Sequence, residues 1–167
     1  QTQEGVTKLM QTAKELNEYN PEFFSVTFGA GGSTKEKTLD TVLDLKKSGF
    51  NATPHISCIS SSKAEIKELL DKYKSNKINH LVALRGDNPS GSINFGELNH
   101  ANELVNFIKS EMGDTFKIDV GAYPEVHPES ETAKQDFINF KNKVEAGADS
   151  AITQFFYNVD AYFKFVD

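Results

Sequence analysis

Short apolar runs alternate with amphipathic helical patterns along the whole chain. The chain opens in a helical pattern that places Val6, Leu9, Met10, Ala13 and Leu16 on one face. Beyond it, runs rich in β-branched and aromatic residues predict five strands, each followed by a helix. The predicted strands cover residues 23–27, about 51–59, 78–84, 116–123 and 150–155. This strict alternation is typical of a parallel sheet whose strands are joined by helices.

Two of the predicted helices carry a clear start signal. Ser33 with Glu36, and Ser62 with Glu65, have the spacing of a capping box, in which each side chain bonds the backbone of the other residue. The last predicted element is a partial helix from about residue 159 to the end. The helix boundaries therefore support the βα alternation that the apolar runs predict.

The spacing between equivalent points of the repeat indicates the architecture. Successive strand ends, from Thr27 to Gln154, lie about 30 residues apart, as in an eight-unit βα barrel of roughly 250 residues. We therefore predict an α/β fold of the TIM (βα)8 type, with about five consecutive βα units and residues 1–167 as a single segment. An open doubly wound sheet is the structural alternative. Five of eight strands would leave two apolar edges unpaired, so we expect a fragment, an incompletely recorded chain or a complementing partner.

Composition excludes several classes of function. The net charge of −6 and the pI near 5.3 argue against a nucleic-acid partner, and the densest basic stretch, around Lys72, is expected to be a solvated helix end. The single cysteine, Cys58, excludes an internal disulfide and favours a reducing compartment. No apolar run reaches the roughly 18 residues of a membrane span, and no leader pattern is present. We expect a cytoplasmic protein without a membrane or nucleic-acid partner, and expect that some sequence preceded Gln1.

Each predicted strand ends in a cluster of polar, glycine or aromatic residues. The clusters are TFGAGGS (27–33), PHISC (54–58), ALRGD (83–87), AYPEVHP (122–128) and TQFF (153–156). Parallel strands expose their C-terminal ends on one face of a barrel, where ligands and catalytic groups collect. All of the candidate chemistry is therefore expected on one face.

In these clusters the sequence resembles the methylenetetrahydrofolate reductases, over essentially its whole length. One matching stretch alone would be weak evidence, but five in the right order and spacing are a strong signal. The stretches are SVTFGAGGST (25–34), PHISCI (54–59), HLVALRGD (80–87), AYPEVHPE (122–129) and AITQFF (151–156). The resemblance implies that residues 1–167 are a segment of the catalytic domain, a βα barrel that holds FAD at its C-terminal face.

The same resemblance implies an oxidoreductase of one-carbon metabolism. In this family NADH or NADPH delivers hydride to flavin N5, and the reduced flavin then converts 5,10-methylenetetrahydrofolate to 5-methyltetrahydrofolate, which supplies methionine biosynthesis. The protein is expected to orient the cofactor and tune its electronics. The implied partners are a small-molecule folate and, at full length, further copies of the chain in a homo-oligomer. No metal is implied.

The resemblance assigns roles to residues at three strand ends. Asp87 is the candidate catalytic residue, beside the flavin ring and the folate pterin, where a carboxylate would disfavour negative charge on the reduced flavin. Asp87, Gln154 and Thr27 are the implied substrate contacts, and the Gln154 amide can both donate to and accept from a pterin. Arg85 is the only arginine of the chain and, with Gly86, is an implied flavin contact. The plainer alternatives are a turn cap for Asp87, an ion pair for Arg85 and a structural partner for Gln154.

Further FAD contacts are implied on the same face and on the helix after the fourth strand. Three of them share one helical face through their i, i+3 and i+7 spacing, which a solvated polar face would also explain. With Arg85, Gly86 and Asp87, the implied FAD contacts are Thr27, Phe28, Ala30, His55, Ala101, Tyr123, His127, Asp136, Asn139 and Lys143. His100 and Asn142 depart from the neighbours common in the family, while Phe155 and Phe156 are expected in the core.

The largest departure from the family is at the N-terminal side. The family has a strand ending in Glu-Phe-Phe-Pro, whose glutamate is the proposed acid for folate N10, and this strand would precede Gln1. Glu22 imitates that glutamate but begins the next strand by register, so we do not assign it as the acid. Two alternative functions follow: a flavin-binding or interaction module of the same fold that has lost catalysis, and a barrel enzyme that acts on a pterin without flavin.

Overall fold

Parallel strands and helices alternate along the chain, as the sequence predicts. The computed structural model describes residues 3–28, 32–87 and 96–167, without the side chains of 3 and 32–36. These ranges contain strands β1 Phe24–Val26, β2 Ala52–Ser57, β3 His80–Leu84, β4 Lys117–Ala122 and β5 Ser150–Thr153. They contain helices α1 Gln3–Asn17, α2 Gly32–Lys47, α3 Lys63–Ser75, α4 Ala101–Met112, α5 Ala133–Glu145 and α6 Val159–Val166. A short 3-10 helix, Gly113–Thr115, was not predicted.

The chain forms two compact units whose boundary falls inside β2. The first unit is Gln1–His55, and in it β1 pairs in parallel with β2, with Phe24 opposite Ala52. Its buried apolar side chains include Val42 and Leu45 of α2. The alternation of short strand and amphipathic helix thus gives this unit one βα repeat and the beginning of the next.

The second unit, Ile56–Asp167, contains the rest of the sheet. Strands β3, β4 and β5 pair in parallel, and the backbone after β2 bonds to the end of β3, where Cys58 N donates to Leu84 O at 3.3 Å and Ile59 N to Arg85 O at 2.9 Å. The strand order is β1-β2-β3-β4-β5. A doubly wound sheet reverses its strand order at a switch point, and this sheet does not. The predicted five consecutive βα units of barrel topology are confirmed.

Burial in the second unit is uneven. The central strands and the helices α3 and α4 supply a continuous apolar core, because β3 and β4 are covered on both faces as parallel strands require. The core includes Ile66, Leu70, Tyr73, Leu81, Leu104, Val105, Ile108, Phe116, Ile118 and Val120. By contrast, α5 and α6 contain no buried residue, and Ile152 of β5 is 40% exposed. In the described chain β5 pairs with one strand only, so its outer edge and apolar side chains lack cover.

The apolar faces of two helices are only partly covered. On α5, Phe137 and Val144 are exposed. On α1 only Ala13 of the five apolar residues is buried, while Leu9 and Leu16 are exposed. Amphipathic spacing shows which face of a helix is apolar, but burial also requires a neighbouring element on that face.

The start of α3 confirms one predicted capping box. Ser62 Oγ accepts from Glu65 N at 3.2 Å, and Glu65 Oε2 accepts from Ser62 N at 2.7 Å. The Lys63 backbone N–H adds a bond to Glu97 Oε2 at 2.7 Å, so a distant loop also satisfies this helix end. The other predicted box, Ser33 with Glu36, lies outside the described side chains. None of the helices within the described ranges combines the length and apolar content needed to cross a membrane.

A buried polar cluster joins the three strands of the second unit near their N-terminal ends. The Asp119 side chain of β4 is 3% exposed, and its Oδ2 lies 2.8 Å from His80 Nε2 of β3. Its Oδ1 accepts from the Ser150 hydroxyl at the start of β5. One carboxylate therefore links β3, β4 and β5 through side chains in addition to the backbone ladder.

Candidate functional site

A cleft of about 450 Å³ lies at the C-terminal ends of β3 and β4, beside α4 and α5. We refer to it as the strand-end cleft. Cavities of this size accommodate small-molecule ligands. Seven residues implied as FAD contacts line it: Arg85, Ala101, Tyr123, His127, Asp136, Asn139 and Lys143. Residues from two of the strand-end clusters and from helices α4 and α5 thus meet in one place within the second unit.

The end of β3 places Arg85 at the cleft through an unusual backbone turn. Gly86 follows with φ of +85°, and a Cβ there would overlap Ser57 Oγ and lie 2.9 Å from Ile59 Cγ2. Ser57 Oγ donates to Arg85 O at 2.7 Å, which fixes the turn against the end of β2. Glycine is therefore required at 86 both for its conformation and for lack of space.

The Arg85 guanidinium has a partner that sequence reasoning missed. Its Nη2 lies 2.7 Å from Glu129 Oε2, and its Nε donates to Gly86 O at 3.1 Å. The hydrogen bond that Arg85 donates to Glu129, assisted by the charge of that carboxylate, raises the pKa of Arg85. Glu129 belongs to a stretch that matches the family, and that match was the available signal. The ion-pair alternative for Arg85 is thus present, at the cleft itself.

The loop after β4 is braced from within and by the start of α5. The Tyr123 and His127 rings meet edge to face with centroids 4.4 Å apart. Asp136 Oδ2 accepts from His127 N at 3.0 Å, and its Oδ1 accepts from Ser130 Oγ at 3.1 Å. Glu129 N donates to His127 Nδ1 at 3.0 Å. In this structure Asp136 therefore shapes the loop that forms one wall of the cleft.

Lys143 brings a second cation to the cleft from the following turns of α5. Its Nζ donates to Gly121 O at 2.5 Å and lies 5.5 Å from the centre of the Phe140 ring. Burial lowers the pKa of Lys143, because an ammonium loses hydration there, and the charge of Asp136 opposes this effect. Asn139 on the same face accepts from Gln135 Nε2 at 3.0 Å. The predicted i, i+3, i+7 face thus lines the cleft.

Asp87 and Gln154 follow the C-terminal ends of β3 and β5, as predicted, but neither lines the cleft. Asp87 is exposed. The pKa of Tyr123 is raised, first by burial of the Tyr123 side chain and then by the charge of Asp87. Gln154 is exposed as well, and its Oε1 accepts from Phe155 N at 2.9 Å. Phe155 is 73% exposed, so the expectation that it belongs to the core is wrong. Phe156 is half-buried and stacks on Tyr162.

The other four implied FAD contacts belong to the first unit. Thr27 is exposed directly after β1, and its carbonyl accepts from Thr38 Oγ1 at 3.1 Å. Phe28 is half-buried. His55 lies within β2 rather than at its end, and burial lowers its pKa, which favours the neutral imidazole. Ala30 lies outside the described residues.

The single thiol is placed for packing and not for chemistry. Cys58 is fully buried, and desolvation raises its pKa to about 11. Roughly a thousandth of the thiol is then ionised at pH 8. We expect Cys58 in the folded protein to resist iodoacetamide at pH 8 and to react readily in urea, as followed by intact mass. Rapid labelling without denaturant would contradict the burial of this side chain.

Among the described side chains, no group of three or more His, Cys, Asp or Glu could hold a metal ion.

Comparison with known proteins identifies the family. The model of the family "Methylenetetrahydrofolate reductase" matches residues 1–167, the whole chain. The chain belongs to the methylenetetrahydrofolate reductase family. The 5,10-methylenetetrahydrofolate reductase of Salmonella typhimurium is 42% identical over 167 residues, which cover 99% of this chain and 55% of that protein. That of Buchnera aphidicola subsp. Schizaphis graminum is 43% identical over 161 residues, covering 96% and 54%.

A plant relative is more distant. The Arabidopsis thaliana protein named methylenetetrahydrofolate reductase (NADH) 1 is 37% identical over 180 residues, covering 99% of this chain and 30% of that protein. The chain thus spans about half the length of the bacterial reductases that it matches. The resemblance inferred from five short stretches is confirmed, and with it membership of an oxidoreductase family. The roles of individual residues stay predictions.

Proposed function

We propose that the chain is the part of a methylenetetrahydrofolate reductase that binds FAD, and that the whole protein reduces 5,10-methylenetetrahydrofolate to 5-methyltetrahydrofolate with NADH or NADPH. The observation that carries the proposal is the strand-end cleft, where seven residues implied as FAD contacts meet. Its volume of about 450 Å³ suits part of a dinucleotide. Two cationic side chains, Arg85 and Lys143, line it, as an anionic diphosphate requires.

FAD, when bound, would supply the hydride chemistry, and the protein would orient it. Gly86 leaves room for close backbone approach at the end of β3. The Tyr123 and His127 rings, with centroids 4.4 Å apart, form one aromatic side of the cleft. The Asp87 carboxylate, at the neighbouring strand end, would disfavour an anionic reduced flavin, and the Gln154 amide would orient the folate pterin.

The remaining expectations belong to the same proposal. The donor is a nicotinamide dinucleotide, and the printed name of the Arabidopsis relative favours NADH. We propose a cytoplasmic homo-oligomer at full length that supplies methyl groups for methionine biosynthesis. Residues 1–167 alone should hold FAD weakly and reduce folate negligibly, because they span about half the length of the bacterial relatives.

The test is flavin binding by the intact polypeptide that contains this chain. We expect a protein with flavin absorption, and at least tenfold weaker FAD binding after Arg85→Met, since a charge-assisted contact is lost. Lys141→Met is the matched control, because Lys141 pairs with Glu145 at 3.5 Å on the surface of α5 and is absent from the cleft. A colourless protein that acts on a pterin would support the flavin-free barrel enzyme instead.

A flavin-binding module without catalysis is the second candidate. It is favoured because both carboxylates that line the cleft already have structural partners: Glu129 pairs with Arg85, and Asp136 accepts hydrogen bonds from the loop at 127–130. Stoichiometric FAD in the intact polypeptide, without oxidation of NADH or NADPH in the presence of the folate, would support the module over the enzyme.

A further inference from the structure

Glu129 forms an ion pair with Arg85, the cationic group that an anionic ligand would need. Its Oε2 lies 2.7 Å from Arg85 Nη2, and both residues line the strand-end cleft. Arg85 follows β3, whereas Glu129 follows β4, so the pair joins two strand ends. An arginine fork matches a phosphate group as well as it matches a carboxylate. Glu129 therefore stands where a ligand phosphate would compete for the same donor.

The carboxylate is presented by a loop that is held in place. Ser130 N donates to His127 O at 2.9 Å, Glu129 N to His127 Nδ1 at 3.0 Å, and Ser130 Oγ to Asp136 at 3.1 Å. These three bonds fix the backbone on both sides of the Glu129 side chain. The ion pair with Arg85 thus has a supported geometry, unlike most pairs between long surface side chains.

The other cation of the cleft is already engaged by the backbone. Lys143 Nζ donates to Gly121 O at 2.5 Å, and burial lowers its pKa. Arg85 has a side chain that is 32% exposed; its Nε donates to Gly86 O at 3.1 Å, and its Nη2 pairs with Glu129. Arg85 is therefore the group at which an arriving diphosphate and the protein's own carboxylate exchange places.

We propose that Glu129 is an internal competitor for the diphosphate of the dinucleotide: it pairs with Arg85 and is displaced when the ligand binds. This inference rests on the proposed function of the cleft. Glu129 lowers the affinity for every ligand that uses Arg85 by the same factor, because each must displace the same carboxylate. Ligands that bind without Arg85 are not affected.

The experiment compares Glu129→Gln with Glu131→Gln in the intact polypeptide. Glu131 is exposed, lies two residues further along and does not line the cleft, so it controls for the loss of one negative charge. Dissociation constants are measured for FAD, for riboflavin, which lacks the diphosphate, and for inorganic pyrophosphate. We expect Glu129→Gln to bind FAD and pyrophosphate about threefold more tightly and riboflavin unchanged, with Glu131→Gln close to wild type.

The outcomes separate this inference from the proposed function. Weaker or unchanged binding of FAD and pyrophosphate by Glu129→Gln would overturn the competition, and weaker FAD binding alone would make Glu129 a positioning residue for Arg85. In an Arg85→Met background the effect of Glu129→Gln should vanish; its persistence would overturn the inference too. If wild type binds no FAD, the proposed function fails, and the pyrophosphate measurements still decide whether Glu129 competes for Arg85.

Discussion

Gly86→Ala is expected to lower the free energy of unfolding by about 3 kcal/mol. One part of this cost is conformational, because φ of +85° is a left-handed value that costs an L-residue about 1–2 kcal/mol. The other part is steric: the new methyl group would overlap Ser57 Oγ and lie 3.1 Å from Ser57 Cβ. Turning the Ser57 hydroxyl away would break its 2.7 Å bond to Arg85 O, and overpacking typically costs about 1–3 kcal/mol.

Gly49→Ala is the matched control for this prediction. Gly49 has the same φ of +85°, but a Cβ there would meet no atom within 4 Å. We expect it to cost about 1–2 kcal/mol, from conformation alone. Urea unfolding of both variants separates the two contributions. Equal costs at the two positions would show that the close contact between Gly86 and Ser57 of β2 adds no measurable cost. The Gly86 variant should also bind FAD poorly under the proposed function, because the turn places Arg85.

Asp119→Ala is expected to destabilise the fold by about 3 kcal/mol, through the buried cluster that links β3, β4 and β5. The Asp119 carboxylate is 3% exposed and lies 2.8 Å from His80 Nε2, whose side chain is itself only 14% exposed. Alanine would remove the acceptor from both His80 and Ser150 and would leave a small cavity. Loss of a partner inside the protein costs more than loss of one at the surface, where water replaces it.

Asp114→Ala provides the comparison at a solvated position. The Asp114 side chain is fully exposed and pairs with Lys109 at 3.7 Å, so its loss should cost less than about 0.5 kcal/mol. Both variants are compared by urea denaturation at neutral pH. A cost for Asp119→Ala as small as that for Asp114→Ala would show that the strands hold their register without this cluster. The cluster lies at the strand ends remote from the cleft, so ligand affinity should change less than stability.

The local pattern of the chain was sufficient for its elements and their order. Alternating apolar runs and helical spacing predicted, within a few residues, the five strands and six α-helices that the described residues contain, because both periodicities arise from backbone geometry and do not depend on distant contacts. The capping box at Ser62 is local for the same reason, since its two residues are three positions apart. The glycine at 86 was noted in the sequence, but its steric role depends on Ser57 of another segment.

The candidate site was predicted in part. The clusters at strand ends and the family resemblance selected seven residues that line the strand-end cleft, because parallel strands bring their C-terminal ends to one face. Glu129 was missed, since only folding shows that the loop after β4 carries it to Arg85. Phe155 was placed wrongly in the core, since an aromatic residue at a strand end is buried only if another element covers it.

The sequence by itself determined the alternation of strands and helices, the acidic character of the chain, the membership of the reductase family and the face on which its chemistry lies. Only the tertiary structure decided which charges meet, which glycine lacks space for a side chain and which apolar faces are covered. The reason is physical: secondary structure and capping depend on neighbours within a few residues, whereas ion pairs, close contacts and burial depend on segments 28 to 44 positions apart, such as Ser57 with Arg85 and Arg85 with Glu129.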